Sequence, residues 1–116
     1  MPTVRYCLAL DLHPDPELQR TYRIWHQPGR TPEAVIRSIR AAGITAMTIH
    51  QVGNRLFMIM DTDESFSAER KAEADAGDPD VVAWETLMDS FQKRLPHAAP
   101  GQKWVPAETI FDLADH

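Results

Sequence analysis

Residues 55–62, RLFMIMDT, set the tightest limit on what this chain can fold into. Along an extended strand, Leu56, Met58 and Met60 point one way and Phe57 and Ile59 the other, so both faces of the strand are apolar. A sheet built around it has to be covered on both sides. The question for the rest of the sequence is what supplies the two covers.

Reading by hydrophobic period gives eight segments. RYCLALDL (5–12) alternates so that Tyr6, Leu8, Leu10 and Leu12 share one face of a strand, which His13-Pro14-Asp15-Pro16 ends. From Glu17, the residues Leu18, Tyr22, Trp25 and His26 recur at spacings of three and four, as on one stripe of a helix, until Pro28-Gly29 stops it. Thr31-Pro32-Glu33 has the form of an N-cap followed by proline at the first helical position. Val35, Ile36 and Ile39 then carry an apolar stripe to Gly43. ITAMTIHQV (44–52) and RLFMIMDT flank Gly53-Asn54 as a hairpin. Ser65 to Ala76 is polar and Ala/Glu-rich, an exposed helix by composition. Val81, Trp84, Leu87, Met88 and Phe91 make a stronger amphipathic helix after Asp78-Pro79-Asp80. The tail QKWVPAETIFDL (102–113) ends in a short apolar strand, with Pro106 suggesting an edge or a bulge.

The order β-αα-β-β-αα-β is that of a split βαβ: an α+β, ferredoxin-like sandwich with a four-stranded antiparallel sheet. Its helices cover one face only. A second copy of the chain is the economical cover for the other, which predicts a homodimer, a dimeric α/β barrel. The length of 116 residues suits a single domain spanning 1–116.

Composition narrows the function. A net charge of −5 without a basic stripe argues against nucleic acid or an acidic membrane as partner. The lone Cys7 forms no internal disulfide. No secretory leader and no apolar run long enough to cross a bilayer is legible, so a cytoplasmic protein is expected. No CxxC, HExxH, Walker loop or GxSxG occurs, so neither a metal nor a cofactor is called for by any motif. Cys7, in mid-strand, reads as a small buried hydrophobe rather than a nucleophile.

Acid–base chemistry remains, and His26 is its best candidate, because a histidine both gives and takes a proton near neutral pH. At the end of a helix it can equally serve by bonding a last carbonyl. Tyr22, Trp25 and Trp84 either fill a core or line a pocket. His13, His50, His97 and His116 fall in turns, strand surface or tail and carry no assigned role. Glu85 beside Trp84 is either a solvated helix residue or one half of a sugar site, where a carboxylate binds hydroxyls and an indole covers the C–H face of the ring.

The blocks TYRIWHQPGRTPEAVIRSIRAAGI, NRLFMIMDTDESF, VVAWETLMDSFQ and PGQKWVPAETIFDL occur in this order over nearly the whole chain. Together they resemble the L-rhamnose mutarotase family, in particular its L-fucose-type members. The resemblance implies cofactor-free interconversion of the α and β anomers of a 6-deoxyhexose by a dimer of ferredoxin-like subunits. It implies a catalytic role for His26, expected as the proton donor to the ring oxygen, with Tyr22 orienting the sugar and relaying the second proton and Trp84 contacting the sugar. Glu85 stands where rhamnose-type members carry a second tryptophan, and Met47 near their sugar-contacting tyrosine, which points to L-fucose over L-rhamnose. Thr31 replaces a common tryptophan and leaves that wall smaller. The same architecture also serves cofactor-independent monooxygenases, haem-handling proteins and non-catalytic sugar sensors, so these alternatives stand beside the mutarotase reading.

Overall fold

The computed structural model describes residues 3–116. β1 (Val4–Leu12) is followed by α1 (Pro16–Trp25), α2 (Glu33–Ala41), β2 (Ile44–Val52) and β3 (Arg55–Thr62). Then come α3 (Ala68–Ala76), α4 (Pro79–Asp89), β4 (Gln92–Lys93), β5 (Val105–Pro106) and a terminal 3-10 turn, Leu113–Asp115. The antiparallel sheet runs β2-β3-β1-β4, with β5 also paired to β1. This is the ferredoxin-like order, and its helices pack on one face.

The helix starts follow from their caps. Asp15 Oδ1 accepts the Glu17 and Leu18 amides at 2.8 and 3.3 Å, and the Asp78 carboxylate accepts the Asp80 amide at 3.0 Å. Each satisfies donors that the first turn of a helix leaves unpaired. Between α2 and β2, Gly43 adopts φ +92°, and a Cβ there would lie 2.5 Å from Asp63 Oδ1. Both the backbone angle and the close approach require glycine.

On the helix side of the sheet, Leu10, Leu12 and Leu56 are buried to within 1%. Leu12 and Leu56 join Tyr22 of α1, Trp84 and Met88 of α4, and Phe91 in one core cluster. At about 1.5–3 kcal/mol per fully buried large side chain, this cluster dominates the stability of the fold.

The other sheet face is uncovered. Phe57 is 41% and Val52 70% exposed, and Cys7, paired across the ladder with Ile59, is exposed as well. The expectation of a buried Cys7 is therefore corrected: its strand position alternates away from the helices. Two bidentate ion pairs frame this apolar strip. Arg5 reaches Asp61 at 2.8 and 3.0 Å, and at the opposite end Arg55 reaches Asp11 at 2.9 and 3.3 Å. Both pairs sit directly across the β1–β3 register.

Three further expectations need correction. Thr31 does not cap α2: its hydroxyl donates to the Trp25 carbonyl at 2.9 Å, so Pro32 occupies the N-cap and the helix starts without a side-chain cap. The helix expected from Ser65 begins at Ala68, capped by the Ser67 hydroxyl. It is not merely solvated, because Lys71 and Asp75 on its inner side are half-buried. The fourth strand is broken into two dipeptides. The chain leaves the sheet after Lys93, where Pro96 has no amide to donate, and returns at Val105. Beyond Ala107, whose amide still bonds the Cys7 carbonyl at 2.7 Å, the apolar tail is unpaired, and Ile110, Phe111 and Leu113 are exposed. Among the described residues, no helix is long and apolar enough to cross a membrane.

Candidate active site

Between the sheet and the helices lies a cavity of about 800 Å³. Its floor is apolar: Leu8 of β1, Met47 and Ile49 of β2, and Met58 and Met60 of β3. Met47 faces Met60 across the β2–β3 ladder, so flexible thioethers rather than rigid rings form the base. The sequence periodicity that placed Leu56, Met58 and Met60 on one face placed this floor.

α1 supplies the reactive wall. Tyr22, 3% exposed, is at once a core residue and a lining residue of the cavity. One turn later the helix ends, and His26 sits at its C-cap with φ −98° and ψ 2°. His26 Nδ1 lies 2.7 Å from the Tyr22 carbonyl oxygen. A carbonyl only accepts, so Nδ1 carries the proton and the neutral ring keeps its lone pair on Nε2. The carbonyl bond expected of a helix-terminal histidine is thus present, and its effect is to fix the tautomer of a ring that lines the cavity.

The aromatic neighbours hold that ring in place. Tyr22 lies 4.3 Å from it between centroids, and Trp84 meets it edge-on at 5.4 Å. Trp25 packs edge-on behind Trp84 at 6.1 Å and Phe91 edge-on against Tyr22 at 5.9 Å. His26 is exposed as a residue because the cavity is open, yet its ring is desolvated by these neighbours. Burial lowers its pKa below the ordinary histidine value, against the opposing pull of the Tyr22 carbonyl. The Tyr22 phenol moves the other way. Burial raises its pKa, the Gln92 hydrogen bond opposes this, and the Glu85 charge adds to the rise. It remains a protonated donor at neutral pH.

α4 brings Trp84 and Glu85 to the cavity together, so that Tyr22, His26, Met47, Trp84 and Glu85 line one cavity, whereas Trp25 packs against the core behind it. Glu85 is not free, however. Its carboxylate accepts Lys103 Nζ at 2.7 Å, and the same ammonium reaches Asp89 at 2.8 Å. The segment between β4 and β5 is thereby fastened to α4, with Lys103 and Trp104 forming the rim.

These rim residues escaped the sequence reading. A Lys-Trp pair between Gly101 and Pro106 was their only signal. Gln92, on β4, had none: it is one polar residue after an apolar helix, and only the fold shows its Nε2 3.4 Å from the Tyr22 hydroxyl. Ser38, Lys71 and Asp75 also line the cavity, where Ser38 donates to Asp75 at 2.6 Å and Lys71 reaches the same carboxylate at 2.5 Å. Among the described residues, no three His, Cys, Asp or Glu side chains converge as a metal-ligand set.

Apolar floor, indole wall, polar rim and one tautomer-fixed imidazole together suit a small polyol with a hydrophobic face. The comparisons with known proteins point the same way. A family model described as L-rhamnose mutarotase matches residues 5–113. Over 115 residues the chain is 44% identical to the L-fucose mutarotase of Xanthomonas campestris pv. campestris, covering 99% of this chain and 92% of that protein. The crystal structure of L-rhamnose mutarotase from Formosa agariphila superposes with a TM-score of 0.68 over 95% of this chain and 98% of that one; at 15% identity this likeness speaks for the fold alone. Because the family match runs from the first strand to the terminal turn, and the full-length relative shares more than two residues in five, the chain belongs to the L-rhamnose mutarotase family.

Proposed function

We propose that this protein interconverts the α and β anomers of a 6-deoxyhexose, with L-fucose as its preferred sugar, and that His26 moves the proton on which the reaction turns. The observation that carries the reading is His26 itself: its tautomer is fixed by the Tyr22 carbonyl and its ring is held between Tyr22 and Trp84 in an open cavity.

The lowered pKa sets the order of events. A resting imidazolium would be needed to protonate the ring oxygen first, whereas the neutral ring offers Nε2 as a base. Nε2 takes the proton of the anomeric hydroxyl. The C1–O1 bond becomes a carbonyl, the C1–O5 bond breaks with its electron pair going to O5, and the Tyr22 hydroxyl supplies the proton to O5. Rotation about C1–C2 then presents the other carbonyl face. On closure, Tyr22 recovers its proton from O5 and His26 returns its own to O1, so the enzyme ends as it began. Positioned acid–base help of this kind is worth about 10²–10⁴-fold.

L-fucose is favoured over L-rhamnose by the name of the 44%-identical relative and by two residues of this cavity. Glu85 offers a carboxylate whose direction is set by Lys103, and Met47 offers no hydroxyl to the sugar. Discrimination between such isomers rests on unpaired polar groups, at roughly 1–3 kcal/mol each. In this reading the protein works as a cytoplasmic homodimer in which the uncovered face of the sheet docks on a second copy.

Saturation transfer between the α and β anomeric protons tests the reading. The wild type is expected to speed exchange of L-fucose more than of L-rhamnose, and Glu85→Gln to narrow the gap. Rhamnose exchanged as fast as fucose would overturn the substrate assignment. No acceleration of either sugar, with binding intact, would mean a sugar sensor, and oxygen uptake on a polycyclic substrate would mean a monooxygenase.

A further inference from the structure

Gln92 is the cavity residue that, among the described residues, leaves a buried side-chain polar atom unpaired. It stands on β4, held there by pairing of its backbone with Leu12, and its side chain lines the cavity next to Tyr22. Its Nε2 donates to the Tyr22 hydroxyl at 3.4 Å, whereas its Oε1 is buried and has no hydrogen-bond partner within the protein. Among the described residues it is the only buried side-chain polar atom left in this state. Folded proteins rarely leave a buried amide oxygen unpaired, and when one lines a binding cavity the natural partner is a ligand donor.

The two ends of this amide do different work. A phenol hydroxyl has one proton and two lone pairs. By donating to the Tyr22 oxygen, Gln92 occupies a lone pair and leaves the proton of Tyr22 to point elsewhere, towards a ligand. Its Oε1, unpaired but closed to solvent, becomes an acceptor beside that donor with a small turn of the amide towards the cavity. Resting on the mutarotase reading, we propose that Gln92 is a substrate-binding residue that accepts a sugar hydroxyl at Oε1 and orients Tyr22 as the donor to the same sugar. A sugar hydroxyl is the fitting partner because Gln92 and Tyr22 pair an acceptor with a donor and neither side chain carries a charge.

The test compares wild type and Gln92→Met in anomer exchange of L-fucose and its monodeoxy analogues. The isosteric methionine removes both ends of the amide and keeps the volume. Gln92→Met is expected to raise KM and lower kcat/KM by about tenfold, the size of one lost hydrogen bond. The pH at which the His26-dependent rate falls should not move. One monodeoxy sugar should lose about tenfold on the wild type and nothing further on Gln92→Met, because the hydroxyl and its acceptor are coupled. A merely structural residue would lower the thermal midpoint and penalise every sugar alike.

The proposal is overturned if Gln92→Met stays within about twofold of wild type, or if every deoxy penalty is the same in both proteins. Should Gln92→Met not fold, Gln92→Asn retracts the same amide by one methylene and carries the same comparison. Failure here is distinguishable from failure of the parent reading: a wild type that exchanges no 6-deoxyhexose sinks both, whereas an active wild type indifferent to residue 92 sinks this assignment alone.

Discussion

At the scale of single residues, His26 unites two roles that the sequence held apart. The helix-end bond from Nδ1 to the Tyr22 carbonyl leaves Nε2 as the working nitrogen. Its depressed pKa has a pH signature. Above about 6.5, the usual value for an unfolded histidine, the ring is neutral in both states and contributes no pH dependence. As pH falls below that value the unfolded chain binds the proton first, so stability declines until the folded ring is protonated too, and then levels off. Exchange of the sugar should fall over the same acid range, with its inflection below about 6.5. His26→Asn is expected to remove the catalysed exchange and to flatten its share of the stability profile; Tyr22→Phe should cost less. An inflection above neutrality would contradict the order of proton transfers derived above. Helical spacing made the Tyr22/His26 pair legible from the sequence. The tautomer was not, because it depends on where one helix ends.

Elements were legible where a single period governed them. β2 and β3 fall on the residues expected, 44–52 and 55–62, because Gly53-Asn54 and alternating apolar residues act locally. α2 did not start as expected, since the Thr31 hydroxyl found a better-placed acceptor in the last turn of α1. The fourth strand failed for a different reason: its pairing is decided by β1, far away in sequence, and Pro96 breaks the run. Gly43 gives the sharpest test at this scale. Gly43→Ala sets a methyl group 2.5 Å from Asp63 Oδ1 at φ +92°, so a loss of about 1–3 kcal/mol in chemical denaturation is expected. Ser65 Oγ stands nearly as close, at 2.6 Å, so Asp63→Ala in the same chain should recover only part of the steric loss and none of the backbone strain.

For the whole molecule, the decisive asymmetry is that helices cover one sheet face and none covers the other. The doubly apolar strand at 55–62 announced this in the sequence, though the flanking pairs Arg5–Asp61 and Asp11–Arg55 emerged only from the register. Light scattering at micromolar concentration is expected to give twice the chain mass, and Phe57→Lys, at the centre of the open face, to give the chain mass itself with an unchanged circular dichroism spectrum. A wild-type monomer would remove the basis for the docked sheet. Alkylation of Cys7 offers a parallel readout, slow in the wild type and fast in Phe57→Lys.

The interrupted edge strand reaches further than geometry. Residues 94–104 lie outside the ladder; Leu95 and Trp104 pack towards the core at the two ends of this segment, and the only ion pairs joining it to α4 among the described residues are the two of Lys103, each to a half-exposed carboxylate. Partly exposed pairs of that kind hold weakly, on the order of 1 kcal/mol or less. Backbone amides in this segment should therefore exchange with deuterium far sooner than those of β1 and β3, by an opening that leaves the rest of the sheet intact. Added salt should quicken that exchange by screening Lys103. Because Lys103 and Trp104 form the rim of the cavity, such an opening would widen its mouth while the floor stays fixed in the sheet.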